Sequence, residues 1–339
     1  MEQRSRIIGY DYLRILAIFM VVMIHGSVTL LGGGNKNLQF VAMEINTLCL
    51  ISVPCFFMIS GALLLDDQNE NPFSGFKQRL LKQGIPFVIW SFIYVAARIL
   101  MKKIPLSWQA FTTLLSEPAY YQFWFMYSLL AIYLLLPILN SLLRKLSQRV
   151  LQYTLGLWLV FSVIQPTLEA FVPVARLAEH VDLILCEGYL GYFLLGYYLR
   201  QYGTSVRKRT ALWMLAGGSL ITMALSAVVY VFMGQKAAAV FYEGYLTPGV
   251  ALAASGAFLL FQNSSLRFNK LVKTMSELSV GIFYLHMLVL TAFEFVGFKG
   301  ERSLLICLAK VVATYGVSAV IAWVIAKIPV IRKLLLGIN

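Results

Sequence analysis

Hydrophobic side chains run along this chain in unbroken blocks separated by short polar stretches, unlike the one-sided stripe of a soluble surface helix. Ten blocks approach or reach the length of a membrane crossing: Tyr12–Leu31, Thr47–Leu65, Gly84–Leu100, Gln122–Leu143, Val150–Pro166, Asp182–Leu199, Thr210–Met233, Tyr245–Phe261, Leu278–Val296 and Leu304–Ala326. A helix needs about 20 residues to cross the hydrocarbon layer. A backbone in lipid must satisfy its own hydrogen bonds, so such blocks predict helices. A β-barrel would show alternating segments of about ten residues, and the sequence has none. No small-residue cleavage site follows the first block, which therefore reads as an uncleaved anchor. The expected fold is all-α integral membrane, a polytopic bundle of about ten transmembrane helices.

Composition strengthens the pattern. Of 339 residues, 60% are hydrophobic and 13% charged, whereas a soluble domain carries about 25% charged residues. A soluble core has too little interior to hide that much apolar side chain. Every connection is short, so residues 1–339 read as a single multi-pass domain with no appended soluble domain. No internal repeat is visible, which weighs against the inverted repeats common in secondary transporters.

Basic residues set the orientation. Alternate connections, beginning with the N-terminus, carry 18 of the Lys and Arg residues, and the other set carries 7. The richer set includes Arg4, Arg6, Lys77, Arg79, Lys82, Arg207, Lys270, Arg332 and Lys333. The positive-inside rule then puts both termini in the cytoplasm and requires an even number of crossings. The net charge of +13 is topology in this reading, and nucleic acid is not an expected partner. Cys49, Cys55, Cys186 and Cys307 lie in or beside apolar blocks without metal-ligand spacing, so buried thiols and no metal are expected.

Ionisable groups inside membrane helices are costly, and each is a functional hypothesis by default. Arg14 and His25 are eleven residues apart in the first block. That spacing is about 20° beyond three full turns, so both side chains share one face, roughly 16 Å apart along the axis. Arg14 paired with Asp11 could simply snorkel at the interface, and His25 could simply serve helix packing. His286, in the ninth block, reaches a depth comparable with His25, so the two imidazoles could converge. Neutral imidazole takes a proton from an alcohol near physiological pH, which suits a general base.

Ser60 and Gly61 end the second block with small side chains that allow either close helix packing or passage of a thin ligand arm. Trp124, beside Phe123 and Phe125, belongs to an aromatic belt or stacks on a sugar ring. Glu187 and Glu294 lie in the outer parts of their helices, where carboxylates can accept hydrogen bonds from hydroxyls.

The run from Asp11-Tyr-Leu-Arg14 to His25, then Ser52-Val-Pro-Cys-Phe-Phe-Met-Ile-Ser-Gly61, resembles the membrane acyltransferase-3 family. The resemblance continues through Arg79, Phe123-Trp124-Phe125, Ala131-Ile-Tyr133, Leu136-Pro137, Leu194-Leu-Gly196 and Ser279-Val-Gly-Ile-Phe-Tyr-Leu-His286. It implies a multi-pass enzyme of a bacterial cell (plasma) membrane. Such an enzyme passes an acyl group, usually acetyl, from cytoplasmic acyl-coenzyme A to a hydroxyl of a surface polysaccharide or lipid-linked sugar. It implies a catalytic His25, with Arg14 and Arg79 as matching basic positions.

Acetyl-coenzyme A also suits the residues themselves. Arg14 and Arg79, with Lys77 or Lys82, would hold the phosphate-rich head through charge-assisted bonds. The pantetheine arm would pass Ser60 and Gly61 toward His25, with His286 beside it, while Trp124, Glu187 and Glu294 would meet the acceptor. The competing expectation is a membrane carrier for a small polar metabolite such as an amino acid, as in the membrane part of serine racemases.

Overall fold

The computed structural model describes residues 6–65, 71–101, 104, 105, 107, 112, 114, 117–169, 171, 188–298, 300 and 303–338. Its helices are α1 (Ile8–Leu31), α2 (Lys36–Cys49), α3 (Ser52–Leu64), α4 (Phe76–Leu100), α5 (Trp124–Leu143), α6 (Gln148–Trp158), α7 (Gln165–Glu169), α8 (Gly188–Tyr202), α9 (Lys208–Met233), α10 (Gln235–Tyr242), α11 (Pro248–Gln262), α12 (Lys270–Phe295), α13 (Leu304–Ala326) and α14 (Pro329–Leu336). A π-helical segment, Leu159–Ile164, joins α6 to α7. No strand occurs among the described residues. Helices occupy the described part of each of the ten apolar blocks, and the protein is a polytopic helical membrane bundle.

Among the described residues, eight helical stretches, continuous or nearly so, are long and apolar enough to cross a membrane, where about ten were expected. The two remaining blocks form α8 and α11, each of 15 described residues. The second block begins earlier than expected, in a stretch from Lys36 to Leu64 broken between α2 and α3. Pro54 explains the break: it lacks the N–H that would bond the Leu50 carbonyl, and proline sits most readily in a helix's first turn. α4 also starts early, at Phe76, behind a left-handed Gly75 (φ +67°), so Lys77, Arg79 and Lys82 are helical and not in a loop.

The chain divides into two compact units, Met1–Leu65 with Leu146–Ser318, and Asp66–Lys145 with Ala319–Asn339. In the first unit α1 is the hub. α2 runs antiparallel to it, with Ser27 donating to Asn46 (2.6 Å) and Leu30 packed with Ala42. α11 is antiparallel as well: Tyr10 donates to Gln262 (2.6 Å) at one end, and Ile24 packs with Val250 toward the other. α13 is antiparallel, from Cys307 on the Gly26 carbonyl to Tyr315 edge-on to Phe19. Only α12 among these neighbours runs parallel to α1. It contacts α1 at Asp11–Ser276 and again at His25–His286. These directions match the alternation of the blocks, since α12 is the ninth and shares its sense with the first.

Small residues set how closely helices pack. A Cβ on Gly61 would strike the Phe193 carbonyl of α8, and one on Gly196 would strike the backbone of Met58 in α3. Such approach lets membrane helices gain dispersion contacts where the hydrophobic effect offers nothing.

In the second unit, α4 packs on α5 and α14. Phe87, Tyr94, Tyr120 and Phe123 form an aromatic cluster, and the Trp90 indole donates to the Leu335 carbonyl (2.8 Å). Pro86 leaves the Lys82 carbonyl without its helical partner. Gly337, left-handed at φ +63°, lies against that carbonyl where a Cβ would collide.

Candidate functional site

Two polar centres lie about four turns apart along α1 in the first unit. The inner one is built on Asp11, which is 4% exposed. Its carboxylate accepts from Arg6 Nε (2.6 Å), Arg6 Nη2 (3.0 Å) and Ser276 Oγ (2.8 Å). Arg14, one turn on, has its Nη1 3.8 Å from Asp11 Oδ1. A buried carboxylate requires such partners, and these pin the start of α1 to α12. The bond from Asp11 is the largest influence on Arg6 and raises its pKa above the ordinary value. Lys273 and Glu277 extend the charged cluster along α12. On the neighbouring helices, Arg200 donates to the Ala62 carbonyl (2.5 Å), beside Gly61.

The outer centre is a histidine pair. The rings of His25 on α1 and His286 on α12 lie 5.2 Å apart, tilted by 32°. His286 is completely buried. Its Nδ1 lies 2.6 Å from the Phe283 carbonyl and 3.1 Å from that of Ile282. Carbonyls accept only, so Nδ1 carries the proton, and Nε2 of the neutral ring is a bare acceptor. That Nε2 is buried without a hydrogen-bond partner. At this separation, ring nitrogens pointed at each other come within hydrogen-bond range. His286 is therefore arranged to receive a proton or an N–H, and its neutral ring has no free donor.

The other residues singled out from the sequence divide between the units. Ser60 is half-buried on α3, while the space beside Gly61 is filled by the Phe193 carbonyl. Glu294, on α12, is held by Lys310 of α13 at 3.8 Å. Glu187 lies outside the described residues, as does His180. In the second unit, Lys77, Arg79 and Lys82 occupy the first turns of α4. By helical geometry Arg79 and Lys82 are about 60° apart, and Lys77 points to the opposite side from Arg79. Trp124 begins α5, half-buried and edge-on to Phe125.

Several polar groups escaped the sequence reading. Lys310 is a fully buried lysine, and its position inside an apolar block was the available signal. Gln122 is 2% exposed, with both side-chain polar atoms lacking a hydrogen-bond partner. The packing of α14 on α4 is likewise a tertiary contact without a local signature.

Compared with the curated proteins and with the solved structures, the chain finds no match. A family model described as an acyltransferase domain matches residues 7–326, a stretch that contains α1 to α13 and both histidines. The chain belongs to the membrane acyltransferase-3 family.

Proposed function

We propose that this membrane acyltransferase moves an acetyl group from cytoplasmic acetyl-coenzyme A to a hydroxyl of a cell-surface polysaccharide or lipid-linked glycan, with His25 as general base. The observation that carries the reading is the His25–His286 pair, 5.2 Å apart on two parallel helices and three turns from Arg14. Family membership speaks for a transferase, and nothing in the fold favours the carrier alternative.

In this reading Arg14 meets the coenzyme's phosphates. Guanidinium groups suit that role through paired, charge-assisted bonds. Ser60 offers the arm a hydroxyl, whereas Gly61 serves helix packing. His25 takes the proton of the acceptor hydroxyl as its oxygen attacks the thioester carbonyl. A C–O bond forms, the C–S bond breaks, and the proton passes from His25 to the departing thiolate. His286 supports His25 from the facing helix: its bare Nε2 is an acceptor available to the imidazolium that forms on His25 as the proton is taken. Glu187 and Glu294 remain the proposed acceptor ligands. The setting proposed is a bacterial plasma membrane with both termini cytoplasmic.

The test is to incubate purified protein with acetyl-labelled acetyl-coenzyme A. Label release as slow hydrolysis, or its transfer to added glycan, is expected. Neither binding nor turnover of acetyl-coenzyme A by folded protein would overturn the reading.

A further inference from the structure

Beyond the histidine pair, toward the outer end of the same helices, lies a second charged group. Lys310 has no exposed surface, although it is a lysine within an apolar helix. Its Nζ donates to Thr29 Oγ1 at 3.2 Å and lies 3.8 Å from Glu294 Oε1. Thr29 stands one turn beyond His25 on nearly the same face of α1, about 6 Å along the axis. Glu294 stands about 12 Å beyond His286 on α12. Lys310 thus links the two histidine-bearing helices from a third. α13 is seated there by Cys307 on the Gly26 carbonyl and by Val311 in the space beside Gly26, the residue after His25.

The exposure of the pair is asymmetric. The lysine is sealed, while the Glu294 side chain is 44% exposed. Burying an ammonium in a membrane helix is costly, and a brace between helices does not require a charge. What the pairing does supply is a carboxylate held in place on α12 beyond the histidine pair. One Glu294 oxygen faces Lys310. A carboxylate so held accepts hydrogen bonds from hydroxyl or ammonium groups and repels anions.

We infer that Lys310 is a positioning residue that presents Glu294 to the acceptor, and that the acceptor sugar is neutral or amino-bearing where it meets Glu294, not anionic. This rests on the acetyl-transfer reading above and adds the acceptor's charge class.

The test uses the full-length protein in nanodiscs with acetyl-coenzyme A and three probe acceptors: methyl glucoside, methyl glucosaminide and methyl glucuronide. Wild type is expected to acetylate the first two in preference to the glucuronide. Glu294→Gln should erase that preference. Lys310→Met should raise the acceptor KM about tenfold or more, with acetyl-coenzyme A hydrolysis unchanged, and Lys310→Arg should restore most of it. Thr29→Val, which keeps the ion pair, should cost less than Lys310→Met and guards against a folding artefact. Equal acceptor KM and equal sugar preference in Lys310→Met, Glu294→Gln and wild type would overturn the inference while leaving acetyl transfer standing. A wild type without any acetyl-coenzyme A turnover would overturn the transfer reading and this inference with it.

Discussion

His25 and His286 meet at 5.2 Å because α1 and α12 run in the same direction and are pinned at their starts by the Ser276–Asp11 bond. Two parallel helices clamped at one end deliver residues of similar depth to the same place. The clamp is itself held by Arg6, so a surface guanidinium, a buried carboxylate and a serine together set where two imidazoles converge. The Nδ1 proton of His286 is committed to the Phe283 carbonyl, which fixes the division of labour between the rings.

His25→Ala should lower acetyl transfer by the 10²–10⁴-fold that a positioned base typically contributes, with coenzyme A affinity and helix content nearly unchanged. His286→Ala should cost less, because the base remains. His286→Gln, which places an amide N–H or C=O where Nε2 stood, should recover part of that loss. Single-turnover transfer beside donor binding measures all three. Appreciable transfer by His25→Ala would remove the base assignment.

Arg14→Ala should weaken coenzyme A binding by about 1.5–3 kcal/mol, the worth of a charge-assisted hydrogen bond. Asp11→Asn is the contrasting variant. It strips Arg6 and Ser276 of a charged partner, so it should lower the thermal midpoint as well as activity. Calorimetric titration with coenzyme A, alongside unfolding scans, separates the two. Unchanged affinity in a folded Arg14→Ala protein would end the phosphate role.

Much of this fold was legible in the hydrophobic blocks, because lipid imposes helix on any long apolar segment. What was not legible came from contacts between distant segments. The shared face of Arg14 and His25 follows from helical repeat alone, and comparable depth pointed to a possible convergence of His25 with His286 but not to its geometry. Nothing local shows that Asp11 is engaged by Arg6 and Ser276. Nor does Gly61 announce that a carbonyl of α8 fills the space beside it, since open slot and packed groove share one sequence signature. The start of α4 was misplaced because Lys77, Arg79 and Lys82 are good helix formers that simply lack hydrophobicity.

Gly61→Ala should therefore act on stability and not on the donor. Its Cβ would occupy the position of the Phe193 carbonyl oxygen and force α3 and α8 apart. Overpacking of this kind costs about 1–3 kcal/mol, and Gly196→Ala, against Met58, should behave alike. The expected readout is a lower thermal midpoint in detergent with unaltered coenzyme A affinity per folded molecule. Weaker coenzyme A binding at unchanged stability would instead return Gly61 to the donor channel.

The last prediction concerns orientation, on which the cytoplasmic donor site depends. Within the first unit, the Arg6–Asp11 cluster lies at one end of α1 and Lys310 with Thr29 toward the other, so the two sites face opposite sides of the membrane whichever way the chain is inserted. The basic residues decide the sense: 18 against 7 puts the Arg6 end inside. Single cysteines report this directly once Cys186 is replaced, because Cys49, Cys55 and Cys307 are buried. Ser74→Cys and Ser205→Cys should be shielded from an impermeant maleimide in intact cells and react after permeabilisation. Asn37→Cys and Lys236→Cys should react in intact cells. The reverse pattern would place Arg14 outside, where acyl-coenzyme A is not supplied. The donor would then have to be sought on the Lys310 side, although the fold and the family would stand.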